Sequence, residues 1–249
     1  MKSISALVSV LVLPLLIRAQ GITLGTASTF GVLGASTVTN TGQTHIIGNL
    51  GVSPGTAITG FPPGAATATD DDDTLAANAQ SDALSAYNTA AGMTTTTVLT
   101  GADLGGMTLT AGVYTFASSA GLTGTLTLNG QGNPNALFVF QMGSTLITAS
   151  SSNVVLVNGA KACNVIWQVG SSATLGTGTH FAGIILAYAS ITGNSGVVVS
   201  GSLIALHAAV TLINDQITVV NTCNMTSASI TSSASGGPPT CGCSCTILA

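Results

Sequence analysis

The feature that most constrains the fold is a repetition of short β-forming runs between residues 94 and 220, which glycine interrupts every several residues. The runs can be arranged in three columns, and each column returns after about 20–25 residues, a period typical of solenoid repeats. Three short strands in every layer are what a parallel β-helix requires. The first column holds 125–128, 153–156 and 197–199, the second 138–141, 165–168, 183–186 and 202–205, and the third 145–147, 173–175, 190–192 and 210–212.

Side-chain alternation within these runs agrees with such a fold. Successive residues of a strand point to opposite faces, so Leu, Ile, Val and Phe would point inward and Thr, Ser, Ala and Gly outward. The alternative is an antiparallel sandwich, whose adjacent strands are joined by tight hairpins with sequences such as Asn-Gly. Asn129-Gly130 and Asn158-Gly159 are two such sequences. The sequence therefore favours the β-helix and leaves the sandwich as the weaker alternative.

One segment has the pattern of a helix. After the run Asp70 to Asp73, apolar residues recur at a spacing of three and four, and Gly92 stands where glycine commonly ends a helix. We predict an amphipathic helix over about 70–91, whose small alanine face packs closely against another element. Aspartates at a helix start cap it and interact favourably with its dipole. We prefer this reading to a cation site, because calcium loops alternate their carboxylates and contain a glycine turn.

The two ends of the chain differ in composition from the middle. Residues 1–19 resemble a signal peptide, with Lys2 before an apolar run and with Ile17 and Ala19 at positions −3 and −1 of a cleavage site. The run is shorter than the roughly 18 apolar residues that cross a membrane. We therefore expect a secreted, extracellular protein that makes no membrane contact after signal cleavage. Residues 20–222 would form the β-helix domain, and 223–249 a tail rich in Ser, Thr, Gly and Cys.

Five cysteines in an exported chain leave at least one without an internal partner. Cys163 and Cys223 are a candidate disulfide. The three tail cysteines could pair among themselves or between chains, and without a nearby histidine they are a weak metal signal. Asn224 begins the sequence Asn-Met-Thr, an acceptor for N-glycosylation in hosts that modify secreted chains.

Charged residues are almost absent. The 249 residues contain only three Lys or Arg and seven Asp, with no Glu, so 4% are charged, against roughly 25% in ordinary soluble domains. After cleavage, Lys161 would be the sole basic residue. Such a chain cannot neutralise a phosphate backbone, which excludes nucleic acid as a partner. It also lacks the paired carboxylates of a glycosidase. The histidines at 45, 180 and 207 fall in different layers. We predict a protein without catalytic activity, cofactor or metal.

The outward positions of a β-helix form a rigid lattice. Layers lie about 4.8 Å apart, and residues on the same face of a strand recur about every 6.8 Å. Thr, Ser, Ala and Gly at these positions place methyl groups beside hydroxyls, an arrangement that can hold water in a regular array. Such a lattice can match the surface of crystalline ice. Outward Thr and Ser also occur through β-propensity alone, but ordinary solvated faces do not lack charge.

Five motifs give the chain a family resemblance. They are 48–55 (GNLGVSPG), 59–61 (TGF), 109–116 (LTAGVYTF), 164–170 (NVIWQVG) and 209–212 (AVTL). In this order they resemble the secreted ice-binding proteins, a family with a discontinuous β-helix. The resemblance implies a mainly β fold, a right-handed parallel β-helix of triangular cross-section with a long helix packed alongside. It also implies that residues 30–50 lie next to residues 197–220, and that one flat face binds ice.

The best candidate for that face is the third column, extended into the N-terminal layer. Its phase follows from Leu146, Leu175, Ile191, Val210 and Leu212, which would point inward, although an error of one residue would invert the assignment. The predicted ice-contacting residues are Thr37, Thr39, Thr145, Thr174, Ser190, Thr192, Ala209 and Thr211.

These observations together predict a secreted antifreeze protein. We expect a monomer that adsorbs to the ice crystal surface, restrains ice growth and inhibits recrystallisation. The alternative is a cell-surface adhesin or structural β-helix that binds polysaccharide. Carbohydrate sites usually need aromatic platforms, and aromatic residues make up only 4% of the chain.

Overall fold

The computed structural model describes residues 22–71 and 74–220. The predicted signal peptide at 1–19 and the tail at 223–249, with Cys223 and Asn224, lie outside the described residues. Nine strands precede residue 123: β1 (Phe30–Gly34), β2 (Thr37–Thr41), β3 (His45–Val52), β4 (Ala57–Thr59), β5 (Ala65–Asp71), β6 (Thr97–Val98), β7 (Thr108–Thr110), β8 (Gly112–Phe116) and β9 (Ala120–Leu122).

Eleven more strands follow: β10 (Thr125–Asn129), β11 (Phe138–Met142), β12 (Leu146–Thr148), β13 (Asn153–Val157), β14 (Val165–Val169), β15 (Ala173–Leu175), β16 (His180–Ala187), β17 (Ile191–Gly193), β18 (Val198–Ala205), β19 (Val210–Ile213) and β20 (Gln216–Thr218). The one α-helix of the described residues, α1, spans Thr74–Ala91, and short 3₁₀ helices occupy Gly25–Thr29 and Ala162–Asn164.

Every pairing between these strands is parallel, and the strands stack into three faces. The first is a seven-stranded sheet in the order β4-β2-β19-β17-β15-β12-β9, which we call the threonine face. The second, the helix-covered face, contains β8, β11, β14, β1 and the C-terminal halves of β16 and β18. The third face contains β7, β10, β13, β20 and the N-terminal halves of β16, β18 and β3. This architecture is the predicted β-helix with a helix alongside, and the sandwich alternative is wrong.

The order of the layers in space differs from their order in the chain. The N-terminal strands stack on the C-terminal ones, with β1 beside β18, β2 beside β19 and β3 beside β20. Thr39 of β2 is thus the lateral neighbour of Thr211 of β19. The expectation that residues 30–50 lie next to 197–220 is confirmed, and the β-helix is discontinuous.

Two long strands turn a corner without ending. β16 and β18 pass from the third face to the helix-covered face at Gly183 and Gly201, which are lateral neighbours with φ of +117° and +152°. A Cβ at Gly201 would collide with the carbonyl oxygen of Gly183. Glycine is therefore needed here for both its backbone conformation and the close approach of the layers.

The interior is a continuous apolar core that runs through the layers. At its centre the rings of Tyr114, Phe140, Trp167 and Phe181 stack from layer to layer, and the Phe140 and Trp167 centroids are 4.0 Å apart. The Trp167 indole N–H donates to the carbonyl of Ala182 at 3.1 Å. Burial of each such side chain contributes about 1.5–3 kcal/mol, so the core holds the outer faces rigid.

Helix α1 packs against the helix-covered face through its alanine stripe. Ala76, Ala79, Ala83, Ala86 and Ala90 are all buried. They belong to a second apolar cluster, formed with outward-facing residues of the strands that include Phe30, Leu33, Val113, Val139, Ile166 and Ile184. The predicted close contact of a small alanine face is confirmed. None of the described helices is long and apolar enough to cross a membrane.

The helix begins later than the sequence predicted. Asp70 and Asp71 belong to strand β5, where they are lateral neighbours of Gly51 and Val52 of β3, and the helix starts at Thr74. The prediction that the aspartate run begins the helix is therefore wrong for these two residues. The physical reason is the run of Ala and Thr from Ala65, which continues the pairing with β3 and meets its backbone hydrogen bonds there. Asp72 and Asp73 lie outside the described residues.

Candidate functional site

The threonine face carries a row of threonines at one register position. Thr59, Thr39, Thr211, Thr192 and Thr174 lie on the adjacent strands β4, β2, β19, β17 and β15, each paired with the next. Neighbouring strands lie about 4.8 Å apart. Five adjacent layers therefore repeat the same hydroxyl and methyl at one spacing.

The inward positions of these strands are filled by aliphatic side chains. Val38, Val210, Ile191 and Leu175 are completely buried behind the row, as is Leu146 on the next strand, β12. Their outward neighbours are partly exposed. The phase predicted from the sequence is therefore right, and all eight predicted residues lie on the outer side of one sheet or of the turn directly before it.

A second outward row lies two residues before the first. Thr37 of β2 is paired with Ala57 of β4, and Ala209, Ser190 and Thr145 directly precede β19, β17 and β12. Hydrogen bonds link side chains along this row: the Ser190 and Ser172 hydroxyls are 3.0 Å apart, and Thr145 donates to Ser119 Oγ at 2.7 Å.

Sequence reasoning missed several members of these rows. Thr59 continues the first row on β4, and Ala57, Ser172 and Ser119 extend the second. Ser172 could have been found, because it precedes Thr174 by two residues as Thr37 precedes Thr39. The position of Thr59 depends on the stacking of β4 on β2, which no local pattern shows.

The regular row ends toward β12 and β9. Next to Thr174 stands Ile147, which is 52% exposed, and next to Ile147 stands Gly121. Asp103 forms an isolated bridge with Gly121 and closes the sheet. The threonine face thus consists of a hydroxyl-bearing part on five strands, followed by an apolar and finally an acidic margin.

The carboxylate of Asp103 is held by hydrogen bonds. It accepts from the N–H of Gly105 at 2.7 Å, and from the N–H and hydroxyl of Thr123 at 2.9 Å and 3.0 Å. Partial burial acts to raise its pKa, but these hydrogen bonds outweigh burial, and the pKa of Asp103 lies below the ordinary value. The group is therefore a fixed negative charge at the margin of the sheet.

Asp215 lies in the corner after β19 and is almost completely buried. Burial raises the pKa of Asp215 to about 6, although the N–H groups of Ile213 and Val197 donate to its carboxylate at 2.9 Å each. Its backbone N–H donates to the Thr44 hydroxyl at 3.0 Å. The residue thereby joins the C-terminal layer to the N-terminal one.

The arrangement of the acidic groups does not suit glycoside hydrolysis. Asp103 lies beside β9 at the edge of the sheet, and Asp215 follows β19, five strand positions away, which is roughly 24 Å at the spacing of parallel strands. Paired glycosidase carboxylates are about 5–9.5 Å apart.

His45 and His180 lie on the third face with two strands between them. Within residues 22–71 and 74–220, no group of three His, Cys, Asp or Glu could hold a metal.

Cys163 is disulfide-bonded. The other four cysteines all occur after residue 220, so the predicted partner, Cys223, is outside the described part of the chain.

The third face is also uncovered but lacks a regular pattern. Its outward row in register contains His180, Val198, Gln216 and His45. Elsewhere on this face Ile47 is 53% exposed. Rings, amides and branched aliphatic groups alternate there without repetition. Among the faces that residues 22–71 and 74–220 form, only the threonine face therefore offers a lattice of like groups.

A family model for ice-binding-like proteins matches residues 32–218. The chain belongs to the ice-binding protein family. It is 57% identical over 202 residues to an ice-binding protein of Nostoc sp. (strain HG1), a match that covers 80% of this chain and 74% of that protein. The predicted family resemblance is confirmed.

Solved ice-binding proteins have the same fold. The crystal structure of the ice-binding protein from the Antarctic ascomycete Antarctomyces psychrotrophicus superposes with a TM-score of 0.79 at 44% identity, over 81% of this chain and all of that one. An ice-binding protein from an Antarctic biological consortium superposes with a TM-score of 0.78 at 43% identity, over 80% of this chain and 91% of that one.

Proposed function

We propose that this protein binds ice through the threonine face. By adsorbing to a crystal surface it restrains ice growth and inhibits recrystallisation. The observation that carries the proposal is the row of threonines in register on five adjacent parallel strands, with completely buried aliphatic side chains directly behind four of them. Membership of the ice-binding family supports the same function.

The threonine side chains of the row are already rigid before ice binds. Threonine is β-branched, so few χ1 rotamers are open to it, and Thr39 and Thr211 are further fixed by a hydrogen bond between their hydroxyls. Because rigid groups lose little entropy on binding, many weak contacts can add up to durable attachment. The methyl groups constrain the water above the face and the hydroxyls bind it.

The charge distribution fits an uncharged ligand. Two carboxylates border the sheet. Asp103 lies at its far margin, beyond Gly121 and Ile147, and Asp215 is buried in the corner after β19. Lys161, the sole basic residue after the predicted signal peptide, lies in the segment between β13 and β14, outside this sheet. Water over the threonines is therefore ordered by neutral groups alone.

The remaining parts of the proposal concern the whole chain. We propose that residues 1–19 direct export, so that the protein acts outside the cell as a monomer without catalytic activity. Cys223 is the proposed disulfide partner of Cys163, and Asn224 the proposed glycan acceptor.

Ice recrystallisation inhibition by single variants tests the proposed face. Thr192→Tyr places a bulky ring in the middle of the row and should abolish inhibition at wild-type protein concentration. Thr218→Tyr is the matched control, since Thr218 is an exposed threonine of β20 on the third face, and it should retain full inhibition. Equal inhibition by both variants, with both folded, would refute the assignment.

A further inference from the structure

A groove lies between the C-terminal half of α1 and the turn that follows β16. Its volume is about 520 Å³, within the roughly 300–1,000 Å³ typical of small-molecule sites. Tyr87 of the helix and Tyr188 of the turn stand on its sides, and Thr115, Gln141 and Gln168 of the helix-covered face contribute polar groups to its lining. The groove lies outside the threonine face, and nothing proposed above uses it.

The two glutamines are lateral neighbours but differ in their hydrogen bonding. The Gln141 amide nitrogen donates to the carbonyl oxygens of Ala90 and Met93 at 2.8 Å each, and its oxygen accepts from Thr115 at 2.7 Å. Both polar groups of the Gln141 side chain are thus used, and its amide caps the C-terminal end of α1.

Gln168 is 6% exposed, and its side chain makes no hydrogen bond to any residue in 22–71 or 74–220. Its amide nitrogen and oxygen are not among the buried side-chain atoms that lack a partner, so they reach the solvent in the groove. Because Gln168 lines the groove, its donor and acceptor are available to a ligand there.

The aromatic side of the groove is held in place. Tyr188 is 48% exposed, and its ring centroid lies 6.2 Å from that of Tyr87 at an interplanar angle of 47°. The His207 ring centroid lies 4.3 Å from that of Tyr188 at an interplanar angle of 36°, and His207 Nδ1 lies 3.0 Å from the Tyr188 carbonyl oxygen. Tyr188 is therefore a supported, solvent-facing ring rather than a loose surface side chain.

The lining determines the chemistry of the ligand. None of the described residues that line the groove is charged, so these residues offer an ionic ligand no counter-charge. Its uncharged amide and hydroxyl groups beside tyrosine rings suit a molecule with one apolar face and several hydroxyls. We propose that the groove binds a neutral saccharide unit, which stacks on Tyr188 and hydrogen-bonds to Gln168. A protein that adsorbs to ice would then hold a sugar at a separate surface.

Saturation-transfer NMR with neutral sugars tests the proposal. The probes are glucose, galactose, N-acetylglucosamine, maltose and cellobiose, with glucuronate as the charged comparison. We expect saturable binding of at least one neutral sugar with a Kd of about 1 mM or tighter, and weaker binding of glucuronate. Gln168→Leu and Tyr188→Ala should each weaken binding by about tenfold or more.

Two controls separate this proposal from the ice-binding one. Thr192→Tyr should leave sugar binding unchanged, and Gln168→Leu should leave recrystallisation inhibition unchanged, which also shows that this variant folds. Absence of saturable binding by all the neutral sugars would overturn the saccharide proposal. Equal binding by wild type and Gln168→Leu would overturn the role of the groove.

Discussion

Thr39 donates a hydrogen bond to the hydroxyl of Thr211 over 3.3 Å, although 172 residues separate them in the chain. The contact crosses the junction where the N-terminal strands stack on the C-terminal layer. Because register is kept across the junction, the threonine row continues from β19 onto β2 and β4. On the face that we propose contacts ice, the threonine row therefore continues without a break where the order of the layers departs from their order in the chain.

The methyl group, the hydroxyl group and the absence of charge at Thr211 have separate roles in the proposed contact with ice. Thr211→Val keeps the shape and should retain part of the recrystallisation inhibition. Thr211→Lys adds a long, strongly hydrated charge and should abolish it, because a charge orders water around itself. An inhibition assay at equal concentrations compares them. Activity of the Lys variant equal to that of the Val variant would show that charge on this face is irrelevant.

Asp215 makes stability depend on pH. Its pKa is about 6 in the folded protein against 3.8 ordinarily, so folding favours the protonated form. The unfolding free energy should therefore fall as pH rises from about 4 to about 6 and level off above. Denaturant titrations at pH 4, 5, 6 and 7 measure this.

Asp215→Asn should flatten that dependence, since the amide does not ionise. The pKa of Asp103 is lowered, so protonation of Asp103 destabilises the folded protein only below about pH 4. Asp103 therefore does not contribute to the change in unfolding free energy between pH 4 and 6. A wild-type stability that rises between pH 4 and 6, or an Asn variant that keeps the wild-type slope, would contradict this assignment.

The corner glycines should differ in their tolerance of alanine. At Gly201 a Cβ meets the Gly183 carbonyl, whereas at Gly196, with φ of +77°, a Cβ meets nothing within 4 Å. Gly196→Ala should cost about 1–2 kcal/mol from backbone conformation alone. Gly201→Ala should cost clearly more, because adjacent layers must separate. Thermal unfolding of both variants measures the difference, and equal losses would show that layer spacing at the corner is not limiting.

Local sequence predicted much of the fold. The columns of alternating residues gave the layers, and the phase of Leu146, Ile191 and Val210 gave the outward side of the proposed face correctly. These features depend on period two and on burial, which a sequence shows directly. The alanine spacing also predicted a small helix face that packs against another element, and Gly92 marked the end of the helix at Ala91.

Other features depend on contacts distant in sequence. The aspartate run has the pattern of a helix start, but pairing of β5 with β3 draws Asp70 and Asp71 into a strand. The place of Thr59 in the row and the gathering of Tyr87, Gln168 and Tyr188 around one groove arise from stacking of separate layers. The stacking of residues 30–50 on 197–220 was expected only because of the family resemblance.

Adsorption to a single growing ice crystal tests the central claim most directly. Wild type, Thr218→Tyr and the double variant Thr192→Tyr/Thr211→Tyr, each labelled with a fluorophore, are offered to a crystal grown slowly from solution. We predict that wild type and Thr218→Tyr concentrate on and in the ice, while the folded double variant stays in the liquid. Exclusion of the wild type, or enrichment of the double variant equal to that of the wild type, would contradict it.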